Sequence, residues 1–470
     1  MSSFFAGFRF EIKILLREPI IWFAIITLFG LTLFSLYNGA VRVKIQQDII
    51  SAAQSDTSKR IDGQKNLLAR LEKGEIHEDL PPYRDPRNAV FAGSGGGQVA
   101  FLKQEPLALV AVGLSDIFPQ LLKVTTASKD TFLFSDEIEN PSNLLSGSID
   151  LAFVIVFILP IVILALCFNL ISSEREQGTL AMTLAAAHRP LALTFGKITA
   201  HALLPILTII VATIAGLFIF SDYHTPVTTD CLLLFASILL YSAFWVALAA
   251  AIDGLGKYSA FNALTLLGLW VIVTILMPAG INALAGYIYP APSRIDMTLA
   301  ARAASTDADK EKDAAFARYK EEHPEAKRDR SKESSLRRLA SQEAAFIQVE
   351  GIIKQHDLQL ERQQAFTKKL DFLSPALLTY QSIVEIAGTG TTRYRGFLDD
   401  INAFHTKWRD FFLTRAKTGD SLTIEDYNSL PKFVSLPHEP VNILSPLLGV
   451  FIPTMLAAII AFIGLKRCAP

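Results

Sequence analysis

The stretch Leu170–Lys197, LISSEREQGTLAMTLAAAHRPLALTFGK, is a polar island between two long apolar runs. It opens on Glu174-Arg175-Glu176, turns at Gly178-Thr179 and continues Ala/Leu-rich to His188-Arg189-Pro190. A second short segment closes it at Gly196-Lys197. A segment this short between spanning helices cannot bury a core of its own. It is therefore either a plain connector or a docking surface for another protein.

Its flanks decide the fold class. Leu151 to Ile171 precedes it and Ala202 to Phe220 follows; Leu232 to Ile252, Ala260 to Leu284 and Val441 to Leu465 are further apolar runs. Each is about long enough to cross a hydrocarbon core of roughly 30 Å. Ile20 to Tyr37 makes a sixth, short but uncharged. A signal peptide is the competing reading of that run, but the charged region before it is too long and is itself amphipathic. With 51% hydrophobic and 19% charged residues in 470, the chain is too apolar for an ordinary soluble enzyme and too charged to lie wholly in a membrane. A net charge of −1 carries no basic footprint, so no nucleic-acid partner is expected. The three cysteines, Cys167, Cys231 and Cys468, lie outside the large polar segments and offer no disulfide framework there.

Before the first run, Phe4, Phe5, Phe8, Ile12, Leu15 and Leu16 fall within an arc of about 120° on a helix, with Arg9, Lys13 and Arg17 along its edge. The pattern predicts an amphipathic helix lying in the membrane interface. A basic leader that only sets topology is the simpler alternative.

Six spans put both termini on one side. Arg9, Lys13, Arg17, Arg175, Arg189, Lys197, Lys257, Lys466 and Arg467 all fall on that side, whereas Ser221 to Asp230 opposite has two aspartates and no Lys or Arg. The positive-inside rule makes the termini and the central loop cytoplasmic. The expected order is a cytoplasmic elbow helix over 1–19, spans at 20–37, 151–171, 199–220, 231–252, 260–284 and 441–465, and a tail at 466–470. A cytoplasmic loop takes 172–198, and two external segments take 38–150 and 285–440.

These external segments are too long to be linkers. Val41 to Leu71 reads as a helical continuation of the first span. Thr298 to Phe372, interrupted by Pro324, carries Phe346, Val349, Ile353, His356 and Leu360 at three- and four-residue steps. That seam suits either a stalk packed on the first segment's helix or a solvated hairpin acting as a spacer. The glycine run Gly93 to Gly97 lacks the Gly-Lys-Ser/Thr that a phosphate loop needs and reads as a flexible turn.

The chemistry missing from the sequence narrows the function. There is no His-Glu-x-x-His pair, no Cys-x-x-Cys, no Gly-x-Ser-x-Gly elbow and no Walker loop, since Gly196-Lys197 runs into Ile198. No catalytic residue and no metal ligand is expected. The spans carry no ionisable residue at mid-depth; Asp150, His201 and Asp253 sit at segment ends. Carriers driven by protons or sodium place carboxylates or histidines there, so any transport is expected to be powered from another polypeptide. Pro160, Pro205, Pro278 and Pro453 each remove a backbone donor from a span, though a single proline in a membrane helix is ordinarily tolerated.

The motif Glu174-x-Glu176-x-Gly178-Thr179-Leu180, followed by Pro190 and Gly196-Lys197, resembles the coupling loop of type-2 ATP-binding-cassette exporter permeases. The leader ending Leu16-Arg17-Glu18-Pro19 is similar to their elbow helix. Three further marks resemble a bacterial branch with large external loops: Pro106-Leu107-Ala108 to Pro119, Asn140-Pro141 to Asp150, and Leu373-Ser374-Pro375-Ala376 with Ala387-Gly388-Thr389-Gly390, Arg393-Tyr394 and Phe397. The resemblance implies an α-helical integral membrane protein of six spans, an interfacial elbow helix and a mainly helical external domain built from two insertions. It implies a transport subunit in the bacterial inner membrane, not an enzyme by itself, with ATP bound by two copies of a separate ATPase and no cofactor of its own. A second permease, identical or closely related, would complete the pathway in the lipid bilayer, and a periplasmic partner would suit the external domain. Glu174, Glu176, Gly178, Thr179, Leu180, Arg189, Pro190 and Lys197 would form the ATPase-coupling loop, and Arg9, Lys13 and Arg17 the membrane-interface elbow. In that role Gly178 allows a sharp turn, Thr179 can cap the next helix, and the two glutamates offer carboxylates to basic groups on the ATPase. A membrane-anchored sensor or scaffold, whose external helices bind a partner and signal inward, is the alternative from a different class.

Overall fold

The helix of the first apolar run does not end with it: a single helix runs from Pro19 to Glu72. This is a computed structural model, which describes every residue except 1, 76–79, 82, 116–117, 128–148, 187, 222–228, 291–293, 323–332, 419, 437–441 and 469–470. Most of loop 221–230, Pro324, Asn140-Pro141 and Gly147-Ser148 therefore lie outside the described residues.

Helix α1 (Ser2–Leu15) leads into α2 (Pro19–Glu72), and the bend is held by Trp22 Nε1 donating to the Leu16 carbonyl at 3.0 Å. Next come α3 (Ala89–Gly96) and an antiparallel hairpin of β1 (Gln98–Phe101) and β2 (Leu121–Val124). α4 comprises Leu151–Phe153 and Leu159–Cys167, joined by the π-turn Val154–Ile158. α5 (Ser172–Glu176) and α6 (Leu180–Ala186) are short; α7 (Pro190–Phe220) and α8 (Thr229–Asp253) are long. α9 comprises Ser259–Val271 and Met277–Ile288 around the π-turn Ile272–Leu276. α10 (Arg294–Lys310), α11 (Lys312–Glu322), α12 (Glu333–Leu370), α13 (Pro375–Ile386), α14 (Thr391–Thr418) and α15 (Ile424–Asn428) precede α16 (Leu444–Cys468). Six helical stretches are long and apolar enough to cross a membrane, α2, α4 with α5, α7, α8, α9 and α16. The chain is thus helical with six candidate spans, as expected.

The helix that carries the third apolar run begins at Pro190, so Lys197 of the expected 172–198 loop lies in α7. One sequence expectation needs correction. Gly93, Gly95 and Gly96 lie inside α3, with only Gly97 at positive φ, so the glycine run is no flexible turn. Of its glycines Gly93 serves packing: a Cβ there would come within 2.7 Å of Phe412, and its carbonyl accepts from Trp408 Nε1, whereas a Cβ on Gly95 or Gly96 would meet nothing within 4 Å. Along α12 lie α10 and α11, while Phe346 of the seam packs against His405 and Arg409 of α14.

The two insertions share one core. Leu68, Ala92 and Val124 from the first pack with Phe397, Phe404, Trp408 and Phe412 of α14 from the second. Below it, the bundle core joins Leu28, Ile155, Ile163, Ile209, Ile238 and Trp245. This core also takes in Ala376, Ile383 and Ile386 of α13, which is wedged among the spans although it is too short to cross by itself.

Both π-turns end two residues before a proline. An α-helix would use the N–H that Pro160 lacks to satisfy the Val156 carbonyl; Tyr241 Oη donates to that oxygen at 3.0 Å instead. In the second π-turn Ser374 Oγ donates to the Val273 carbonyl, five residues before Pro278, at 2.8 Å. The same hydroxyl accepts from Leu377 N and caps α13. Pro205 and Pro453, by contrast, lie within unbroken helices.

Candidate functional site

At the face that carries both termini, Arg175-Glu176-Gln177-Gly178-Thr179 ends α5 in a Schellman turn. Thr179 N donates to Glu174 O at 2.9 Å and Gly178 N to Arg175 O at 3.1 Å, with Gly178 at φ +73°. A side chain there would be strained, which explains the glycine. Thr179 O accepts from Thr183 N to start α6, but the hydroxyl bond that Thr179 makes is a donation back to Glu174 O at 3.3 Å. Its role is to close the turn; no bond from its hydroxyl to an α6 N–H is seen.

The two glutamates of the loop are used within the chain. The Lys197 ammonium, 5% exposed, pairs with Glu174 and lies 3.3 Å from Glu11 of α1. One cation thus ties the elbow helix, α5 and α7 together. Glu176 Oε1 accepts from Ser259 N at 2.6 Å, at the start of α9. Both carboxylates are thus engaged with neighbouring helices, Glu174 half-buried and Glu176 still exposed.

A second set of bonds anchors the start of α5. Asp253, at the end of α8, accepts from Ile171 N at 2.7 Å and Ser172 N at 3.1 Å. These are N–H groups that a helix start leaves without intrahelical partners. Asn262 of α9 donates to Asp253 at 2.9 Å, and Ser259 Oγ donates to Ser172 Oγ at 3.0 Å. Ile171, Ile198, Ala250, Ala461 and Leu465 form a small apolar core beneath, with Leu180 packed against it. The loop between the fourth and fifth spans is thereby fastened to the polar island.

α1 lies along α7 through its small-residue ridge. A Cβ on Gly7 would stand 2.6 Å from the Leu193 carbonyl, and one on Gly196 2.3 Å from the Phe4 carbonyl. The packed ridge is Ser3, Gly7, Glu11 and Leu15, while Phe5 and Leu16 of the apolar arc are exposed beside Arg9, Lys13 and Arg17. Arg9, Lys13 and Arg17 are not brought to the loop.

What remains free on the loop is α6. Met182 is 74% exposed, with Ala181 and Ala185 also outward. Arg189 is exposed ahead of Pro190, the first residue of α7. The structure brings together Glu174, Glu176, Gly178, Thr179, Leu180 and Lys197, and adds Glu11, Ser172, Asp253, Ser259 and Asn262. Glu11 was legible as an acid inside a basic leader; the others were ordinary polar residues at the ends of apolar runs. Among the described residues there is no group of three His, Cys, Asp or Glu able to hold a metal ion.

At the opposite face the motif marks also converge. Asp150 accepts from Val112 N at 2.8 Å and Phe153 N at 2.7 Å, and Leu114 N donates to Thr389 O at 2.9 Å. Arg42 of α2 donates to Ala108 O, Ala111 O and Ser115 Oγ.

A family model described as a domain of unknown function (DUF3526) matches residues 294–435, less than a third of the chain. That stretch spans α10 to α15 and so includes the wedge α13. No curated protein and no solved structure matches the chain.

Proposed function

We propose that this chain is the permease subunit of an ATP-driven exporter of the type-2 ATP-binding-cassette class, in a bacterial inner membrane with both termini cytoplasmic. Two copies of a separate ATPase would grip α6, and their closure on ATP would tilt the attached spans. The observation that carries this reading is the rigid mounting of an exposed knob. A lever must transmit displacement, and Lys197, Glu174, Glu11, Glu176 and Asp253 bind the loop to α1, α7, α8 and α9 while leaving Met182 free.

The test is to purify the tagged chain from its own host's membranes and follow a Walker-motif ATPase and its ATP turnover. Met182→Glu with Ala185→Glu should lower retained ATPase about tenfold or more, as for removal of a central interface anchor, with the chain's own unfolding transition unchanged. Retention of the ATPase and of its turnover by this double variant would sink the docking role.

The sensor or scaffold reading draws on α13, which carries the external domain into the span bundle. It predicts a stable complex with an external protein and no ATPase in the same preparation.

A further inference from the structure

α12 and α13 are joined by one turn of 3-10 helix, Asp371–Leu373, which packs against both of them, the second half of α9 and α16. A hydrocarbon core of roughly 30 Å takes up about 20 helical residues, which from Ser259 ends near Pro278. The turn meets α9 in the half that begins at Met277, so Asp371 stands at the outer edge of the apolar phase. It is only 5% exposed. Gln381 Nε2 of α13 donates to its Oδ2 at 3.0 Å, while its Oδ1 is buried without a hydrogen-bond partner. The last two turns of α12 bring Lys368 and Lys369, both exposed, and Lys368 acts on the carboxylate through space. α13 brings Tyr380 and Glu385, the latter held by Thr391 and Thr392. The second half of α9 brings Tyr287, exposed near its end, and α16 has no titratable group before Lys466 at its far end.

An ionised carboxylate in this place gives up its water and gains one amide bond, which leaves the charge poorly compensated. The neutral acid fits better, since one oxygen still accepts from Gln381 and no charge is left at the edge of the apolar phase. Burial accordingly pushes the Asp371 carboxyl above the usual carboxylate range, and Gln381 and Lys368 pull it back only in part. We propose that Asp371 is a proton-binding site open to the external face, and that its proton sets how firmly α13 is seated among the spans. Ionisation draws water to the turn, three residues from the Ser374 hydroxyl that ties α13 to Val273. A carboxyl raised by folding stabilises the seated wedge fully at pH below its ordinary range. That stabilisation is lost as the pH rises through its value in the folded chain. The site does not depend on the ATPase reading and serves a scaffold equally.

The experiment places a nitroxide spin label on Leu377→Cys, a half-buried position of α13, in the full chain with Cys468→Ser, held in lipid discs. Raising the pH from about 4.5 to about 8, across the range above ordinary aspartates, should make the label several-fold more mobile. Asp371→Asn, which mimics the neutral acid, should keep the label at its low-pH mobility throughout. An undiminished response in Asp371→Asn, or no response with Asp371 in place, would overturn the proposal. Infrared difference spectra give a second readout that needs no label. A protonated-carboxyl band that persists above about pH 5, beyond the ordinary aspartate range, should be missing from Asp371→Asn; loss of no such band would overturn the proposal as well. Gln381→Leu removes the one donor that favours the ionised form and should move both transitions to higher pH, and a move to lower pH would count equally against the site.

Discussion

At the face with the termini, Lys197, Glu174, Glu11, Asp253 and Asn262 hold the helix ends together by charge and by capping bonds. At the opposite face, Ala376, Ile383 and Ile386 of α13 enter the span core as apolar filler, with Ser374 as the chief polar tie. The difference is one of tolerance. Charged and capping networks fix geometry sharply but fail badly when one member is lost. Apolar packing yields by degrees, in proportion to the volume changed. A loop that must transmit displacement suits the first construction. A wedge between helices, seated on two π-turns beside prolines, suits the second.

The largest expected break in this contrast is Lys197→Met. It leaves Glu11 and Glu174 facing each other with 12% and 23% of their side chains exposed, at a cost of about 3–5 kcal/mol. Chemical unfolding of the purified chain in detergent should show it. Adding Glu11→Gln and Glu174→Gln should recover most of the loss, because removing a whole buried ionic group is often neutral. Failure of the triple variant to recover would mean that the three residues do not act as one group.

A middle-sized effect belongs to the wedge. A Cβ on Gly449 would stand 2.6 Å from Leu378 of α13, so Gly449→Leu should cost about 1–3 kcal/mol by overpacking. Ser374→Ala, which strips the Val273 carbonyl of its donor, should cost about 1 kcal/mol. If limited proteolysis finds the helix pair α12–α13 released in neither variant, the wedge is not held by these contacts. The smallest effect expected is Gly178→Ala, about 1 kcal/mol from the positive φ. It should be read as faster hydrogen exchange confined to α5 and α6, and exchange spreading to α8 would show that the loop is less independent of Asp253 than its local turn bonds suggest.

Much of this was legible in the residues. The six apolar runs, the continuation of α2 beyond Tyr37 and the turn at Gly178 follow from length, hydropathy and the conformational limits of a side chain at positive φ. The use of Glu174 and Glu176 was not legible. A carboxylate in a polar loop has the same sequence signature whether its partner is Lys197, 23 residues on, or a cation on another protein. Gly93 is ambiguous for a related reason: glycine permits both a turn and a close approach, and only the position of Phe412 and Trp408 selects the second. The small-residue ridge of α1 was likewise hidden behind its aromatic arc, which drew the eye because apolar periodicity is the stronger signal.

By itself the sequence determined how many helices are long and apolar enough to cross a membrane and where polar chain interrupts them, since those depend on local composition and spacing. The tertiary structure alone decided that one lysine joins three helices, that Asp253 caps a helix from another part of the chain and that α13 sits among the spans. Such facts depend on which groups lie within a few ångströms after folding, and pairing energies at that range do not register in the linear order of residues.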